Sequence, residues 1–256
     1  MTRGLAARLG AAALDLVLPE TCVGCGRPGS TVCGGCVQPL LGTPMPAWPT
    51  PSPAGLPPPF AVTDYHGTPR AAILAYKEQR RLALARPLGR ALATSVATAW
   101  AAGGTPGSAN CAPEQMVGGV RRGFPSGPTL LLVPIPCSPA AVRVRGHDPA
   151  NGLARATARV LREAGVPAVR LPVLRQARLV RDQAGLSAES RAGNLAGALV
   201  VPKRRERLVA GRQVVLIDDI ITTGATLAEA ARALRVVAAT PVAAAVIAAT
   251  RRQMPP

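Results

Sequence analysis

Asp218 and Asp219 stand side by side at the end of an apolar run, Val214 to Ile217, and Ile220-Ile221-Thr222-Thr223-Gly224-Ala225-Thr226 follows them. The run reads as a buried parallel strand, and Leu227 to Val237 turns to helical spacing. Ligands of open α/β sheets gather at the carboxyl ends of strands. There the backbone N–H groups of 222–226 can converge on a phosphate, aided by the positive end of the following helix. Gly224 permits close backbone approach, and the threonines add hydroxyl donors. Two carboxylates would repel a phosphate, so they suit hydroxyl groups, or a hydrated Mg²⁺, lying next to it. A ribose 5-phosphate presents that combination. A Walker loop is excluded, because no Gly-Lys-Ser/Thr follows four spacers after a glycine.

Two further sets of residues could do chemistry. Cys22-x-x-Cys25 and Cys33-x-x-Cys36 form two turns rich in glycine, which lets four sulfurs point at one centre. Four thiolates at that spacing suit a tetrahedral Zn²⁺, closed and therefore structural or partner-binding rather than catalytic. No secretory signal is evident, so disulfide pairing is not expected. Cys111 and Cys137 stand alone. The turn Pro134–Ser138, at the end of another apolar run, reads as a second phosphate site, and Arg143 and Arg145 beyond it can neutralise phosphate bidentately. His147 reads as a turn histidine, and no residue is assigned as a general acid or base.

The elements that must position these groups alternate between strand and helix. Phe60–Tyr65 is expected as a strand and Pro69–Ala102 as a helical segment split by Pro87. Leu130–Val133, a helix from about Pro149 to Ala164, a short strand near Val169–Leu174, the Val214–Asp218 strand, the 227–237 helix and a last strand at Val242–Ala249 follow. Residues 44–59 hold eight prolines and are expected to be a linker. Residues 4–18 read as a short amphipathic helix, and 103–128 as an irregular loop. The domains are then a four-cysteine segment at 1–43, the linker at 44–59 and a catalytic-type domain at 60–256.

Aromatics make up only 2% of the chain, so Leu, Val and Ile, with much alanine, must carry the core, and the scarcity argues against a base-stacking single-strand platform. No run of eighteen apolar residues exists, so no transmembrane helix is expected, and the protein is expected in the cytoplasm. The net charge of +17 comes almost wholly from arginine. It fits nucleic-acid binding through phosphates, attraction of a polyanionic small substrate, or a solvated basic face.

The 214–226 stretch resembles the 5-phosphoribosyl-1-pyrophosphate (PRPP) motif of type I phosphoribosyltransferases. Three further segments are similar to the ComF branch of that family: Tyr65-His66-Gly67 with Ile73, Tyr76 and Lys77; Val133-Pro134-Ile135-Pro136 with Arg143, Arg145 and Gly146; and Leu174-Arg175, Gln183, Leu186-Ser187, Arg191 and Asn194-Leu195. The resemblance implies a type I phosphoribosyltransferase-like parallel sheet flanked by helices, with a small N-terminal zinc knuckle. It implies that Asp218 and Asp219 bind the ribose hydroxyls while Thr222, Thr223, Gly224, Ala225 and Thr226 hold the 5-phosphate. Pro136, Cys137 and Ser138, with Arg143 and Arg145, would bind pyrophosphate, and 175–194, with Arg175, Arg178 and Gln183 facing in, would be a loop that closes over substrate. PRPP with Mg²⁺ is the implied ligand. Single-stranded DNA or DNA-uptake proteins are the implied partners. Two positions depart from the ComF pattern: Arg-Gly-Phe-Asn reads Arg145-Gly146-His147-Asp148, and an aromatic is replaced by Glu78. An added carboxylate beside a phosphate site is electrostatically unhelpful. Two functions fit, a phosphoribosyltransferase acting on a nitrogen acceptor, or a silent adaptor of the same fold serving DNA uptake or repair.

Overall fold

The computed structural model describes residues 20–103, 116–117, 120–121, 129–177, 195 and 197–250. The amphipathic segment expected at 4–18, most of 103–128, and 178–194 fall outside them. In chain order, α1 (Gly34–Val37) and a 3₁₀ turn close the four-cysteine segment. Strands β1 (Met45–Pro46) and β2 (Pro59–Asp64), helices α2 (Gly67–Glu78) and α3 (Ala85–Gly103), and a small hairpin of β3 (Met116–Val117) and β4 (Val120–Arg121) follow. Then come β5 (Leu130–Pro134), α4 (Pro139–Arg145), α5 (Pro149–Glu163), β6 (Ala168–Arg170), β7 (Arg175–Gln176) and β8 (Leu199–Val200). The chain ends with α6 (Lys203–Glu206), β9 (Gln213–Ile217), β10 (Ile220–Ile221), α7 (Ala225–Val236) and β11 (Thr240–Ala249).

The main sheet runs β1-β2-β11-β9-β5-β6, with β10 added to β11. All its pairings are parallel except that of β1 with β2. Strands β5 and β9 are buried on both faces, as a sheet covered by helices requires. Period-two alternation divides their side chains between two layers. Val215, Ile217, Leu130 and Leu132 face α2, α3 and α5. Val214, Leu216, Leu131 and Val133 face α7. The alternating β/α pattern read from the sequence is therefore the fold observed. No helix among the described residues is long and apolar enough to cross a membrane.

The long helical segment breaks earlier than expected. The interruption is at Gln79–Leu84, where Arg80 takes φ +54° and a 3₁₀ turn follows. Pro87 lies instead in the first turn of α3, where its missing N–H would have no helical partner anyway.

The N-terminal segments lie against the body. Leu40 is 1% exposed in the same core as α2 and α3, and Val23, Val32 and Val37 pack on it. Arg81 donates to the Thr21 carbonyl. The proline-rich stretch adds β1 to the sheet edge and buries Leu56, while Arg235 of α7 donates to the Gly55 carbonyl at 2.8 Å. Proline brings stiff apolar surface that loses little entropy on packing, so a composition typical of a spacer can also serve as a strap.

Candidate functional site

Strands β5 and β9 end together, with Pro134 in register with Ile217 and the Ile135 amide donating to the Ile217 carbonyl at 3.0 Å. This registration sets the turn after β5 beside the acidic pair after β9. Asp218 Oδ1 accepts from the Asp219 amide at 2.9 Å, and Asp219 Oδ1 accepts from the Ile220 amide at 3.0 Å. These local bonds turn the chain sharply before β10 rejoins the sheet. Burial, and then the neighbouring Asp219, push the Asp218 carboxyl well above the usual carboxylate range. Asp219 has a cation of its own, since Lys77 Nζ of α2 lies 2.8 Å from its Oδ2.

Gly224 caps α7 with φ +71°, a left-handed conformation that any side chain would strain. It has no side chain to satisfy the first amides of α7. Ala225 N–H leans on Thr223 Oγ1 at 3.5 Å, and Thr222 is exposed. The 222–226 loop thus presents donors and the positive end of a twelve-residue helix beside two carboxylates. A Cβ on Gly224 would lie 3.0 Å from Leu56, 3.2 Å from Pro49 and 3.4 Å from Pro53, so the proline strap seats directly on this loop. Between the strap and the loop opens a cleft of about 880 Å³, lined by Trp48, Thr63, Asp64, Thr222 and Thr223 among others.

On the β5 side, Ser138 caps α4, its Oγ accepting from the Ala141 amide at 3.1 Å. That bond uses a lone pair and leaves the hydroxyl hydrogen for another acceptor. Cys137 lies between, its thiol pushed up to about 11 mainly by burial, with Asp148 and Asp218 adding to it. A thiol so placed stays protonated at neutral pH and is a poor nucleophile. Arg143 is exposed, while Arg145 is committed. Its Nε and Nη2 each lie 2.8 Å from a Glu78 carboxylate oxygen. Arg175 is exposed at the base of the β7–β8 hairpin and donates to the Gln176 carbonyl at 3.2 Å. Arg178 and Gln183 lie outside the described residues.

The two departures from the ComF pattern have local accounts. Glu78 is the partner of Arg145. Asp148 is the N-cap of α5, accepting from the Asn151 amide at 3.0 Å and from Asn151 Nδ2 at 2.6 Å. His147 places its two ring nitrogens 3.2 Å from the carbonyls of Arg145 and Tyr76, and Tyr76 donates its phenol to the Pro149 carbonyl at 3.2 Å. These bonds tie the end of α2 to the α4–α5 corner. Sequence reasoning placed Lys77 in a family-like segment and Glu78 beside the phosphate site, but it missed their partners, Asp219 for Lys77 and Arg145 for Glu78.

The four N-terminal sulfurs all lie within 4.8 Å of one another, and Cys25 and Cys33 Sγ are 3.7 Å apart. Tetrahedral Zn–S bonds of about 2.3 Å demand S···S separations close to this. The Cys33 amide donates to Cys22 Sγ at 3.3 Å and, with other amides, lowers that thiol to about 6. The set can therefore hold a metal such as zinc.

Residues 149–256 match the family described as the phosphoribosyl transferase domain. The match takes in β9, the 222–226 loop, α7 and β11, and it begins after the Pro134–Ser138 turn. It spans less than half of the chain. A comparison with curated proteins found no match.

Proposed function

From the phosphoribosyltransferase domain at residues 149–256, we propose that the protein binds PRPP with Mg²⁺ and transfers its phosphoribosyl group to a nitrogen acceptor, as a ComF-type phosphoribosyltransferase. The observation that carries this reading is the side-by-side placement, at registered strand ends, of the Asp218-Asp219 pair, the 222–226 loop and the Pro136–Ser138 turn. The 222–226 loop takes the 5-phosphate on its amides and threonine hydroxyls. Asp218 and Asp219 accept the ribose 2- and 3-hydroxyls and steady the positive charge that develops at C1. Ser138, the amides of Cys137 and Ser138, and Arg143 bind the pyrophosphate. Mg²⁺ accompanying the substrate adds charge neutralisation on that leaving group. The C1–O bond breaks with its electron pair going to pyrophosphate, the acceptor nitrogen forms the new C1–N bond, and the acceptor sheds a proton to solvent.

The test is calorimetry on Asp218→Asn/Asp219→Asn. The double variant should stay folded and lose about 100-fold in PRPP affinity, because hydrogen bonds to charged groups each contribute about 1.5–3 kcal/mol. Unchanged affinity in the folded variant overturns the assignment. Turnover is read separately, as pyrophosphate released from Mg²⁺·PRPP when ammonia or nitrogen heterocycles are supplied. One observation favours the silent adaptor as a second reading: the Arg145 fork is spent on Glu78 rather than facing the anion site. PRPP binding without pyrophosphate release across the acceptor panel would select it. A role in DNA uptake rests on the +17 charge, and it requires sequence-tolerant DNA binding that falls steeply with salt.

A further inference from the structure

Only two of the chain's 30 lysines and arginines are lysines, Lys77 and Lys203. Lys77 leaves the last turn of α2 and carries its ammonium across the top of the sheet to Asp219 Oδ2, 2.8 Å away. Its side chain is 24% exposed and that of Asp219 13%. Burial works against the ammonium, but Asp219, and Asp218 beyond it, outweigh that and raise its pKa. The Cys137 thiol of the β5 turn also feels this charge. Lys77 therefore stands at the acidic end of β9, and the register of β5 with β9 brings the anion turn of β5 beside that end, the two places a sugar diphosphate must bridge.

Its chemistry is unlike that of a structural ion pair. An ammonium offers three donors, and among the described residues Asp219 is the one acceptor it engages. A partly buried pair offsets its desolvation only when further hydrogen bonds complete it; Asp219 has one from the Ile220 amide, but among the described residues the ammonium has none beyond Asp219. Arginine fills 28 of the 30 cationic positions and would lock to a carboxylate through two bonds. Glu78, the next residue on α2, is held by Arg145 in that way. A lysine is a compact point charge on a flexible stem and can change partners without moving the helix.

We propose that Lys77 is a diphosphate-binding residue that guards Asp219 in the empty site and exchanges it for a diphosphate oxygen when ligand arrives. Asp219 is thereby released to accept a ribose hydroxyl as the diphosphate docks. No covalent bond changes. The single ammonium passes from one anion to another, so the acidic pair keeps its counter-charge while the site is empty and yields it to the diphosphate as ligand docks. The inference rests on the PRPP reading above.

Calorimetry with three ligands tests it: PRPP with Mg²⁺, ribose 5-phosphate, and pyrophosphate without added divalent metal. Lys77→Met should lose about 30-fold for PRPP and pyrophosphate, the range expected for a charge-assisted hydrogen bond, and change less than about threefold for ribose 5-phosphate. Lys77→Arg should restore part of the loss. Asp219→Asn, which frees the ammonium without touching it, should bind pyrophosphate several-fold more tightly than the wild type while binding ribose 5-phosphate more weakly. Equal losses for ribose 5-phosphate and PRPP in Lys77→Met, or pyrophosphate binding no tighter in Asp219→Asn, overturn the proposal. A wild type that binds PRPP while Lys77→Met binds it equally well sinks the role of Lys77 alone. A wild type that binds no PRPP sinks the reading beneath it.

Discussion

The acidic pair places function in tension with stability at single residues. Asp218 is partly buried beside a second carboxylate, and its pKa lies well above the ordinary value of 3.8. The fold therefore favours its neutral form, so its contribution is most favourable at low pH and is lost as pH rises from the ordinary carboxylate range through the raised value. Asp218→Asn should consequently melt higher than the ligand-free wild type, with an advantage that is small at pH 4 and grows toward pH 8, even though it binds PRPP less well. Thermal melts at the two pH values check the sign, and an advantage that shrinks with pH would refute it. Asp148 illustrates the opposite balance. As N-cap of α5 it holds the Asn151 amide at 3.0 Å, so Asp148→Ala should cost about 1 kcal/mol in denaturant unfolding while Asp148→Asn costs little. Asparagine at this position would leave capping intact, since either side chain offers an oxygen.

At the level of elements, the central strands were legible because each is a short apolar run ended by polar or turn residues, and β5, β9 and β11 begin or end within two residues of expectation. The phosphate loop was legible for the same reason, since loop, glycine and helix are contiguous. What sequence could not show were partnerships over long separation. Lys77 with Asp219, and Glu78 with Arg145, are joined only through the packing of α2 across the strand ends. The helix break was misplaced because proline marks a helix start as well as a stop, and the sequence alone does not separate the two. Close packing between helices was equally hidden. Gly89 of α3 lies so near α5 that a Cβ would come within 2.8 Å of Ala156 Cβ and 3.1 Å of the Ala156 carbonyl carbon. Gly89→Ala gains up to about 1 kcal/mol of helix propensity, but overpacking against backbone costs about 1–3 kcal/mol. Net destabilisation in urea is expected, and a stabilised variant would show that α3 and α5 can move apart freely.

For the whole molecule, the four-cysteine segment is joined to the body by buried contacts rather than by a tether. Leu40 belongs to the core, and a Cβ on Gly24 would meet Thr68 of α2 and Cys36 at 2.7 Å each. Purified protein should carry about one zinc per chain, and stripping it with a chelator should lower the melting temperature by several degrees, since a ligand bound only by the folded state stabilises it. An unchanged melt after metal loss would mean the thiols order nothing beyond themselves. Strand order carries a consequence of another kind. The family match at 149–256 supplies β6, β9 and β11, but β5 separates β6 from β9, and β2 covers the far side of β11. The two halves of the polypeptide are woven rather than stacked. A fragment cut at residue 149 would leave β9 with one open edge, β11 with another and β6 with no neighbour, so it is not a portable unit. Fragments divided between residues 103 and 129 should each be insoluble or unfolded alone, yet able to complete one another when refolded together.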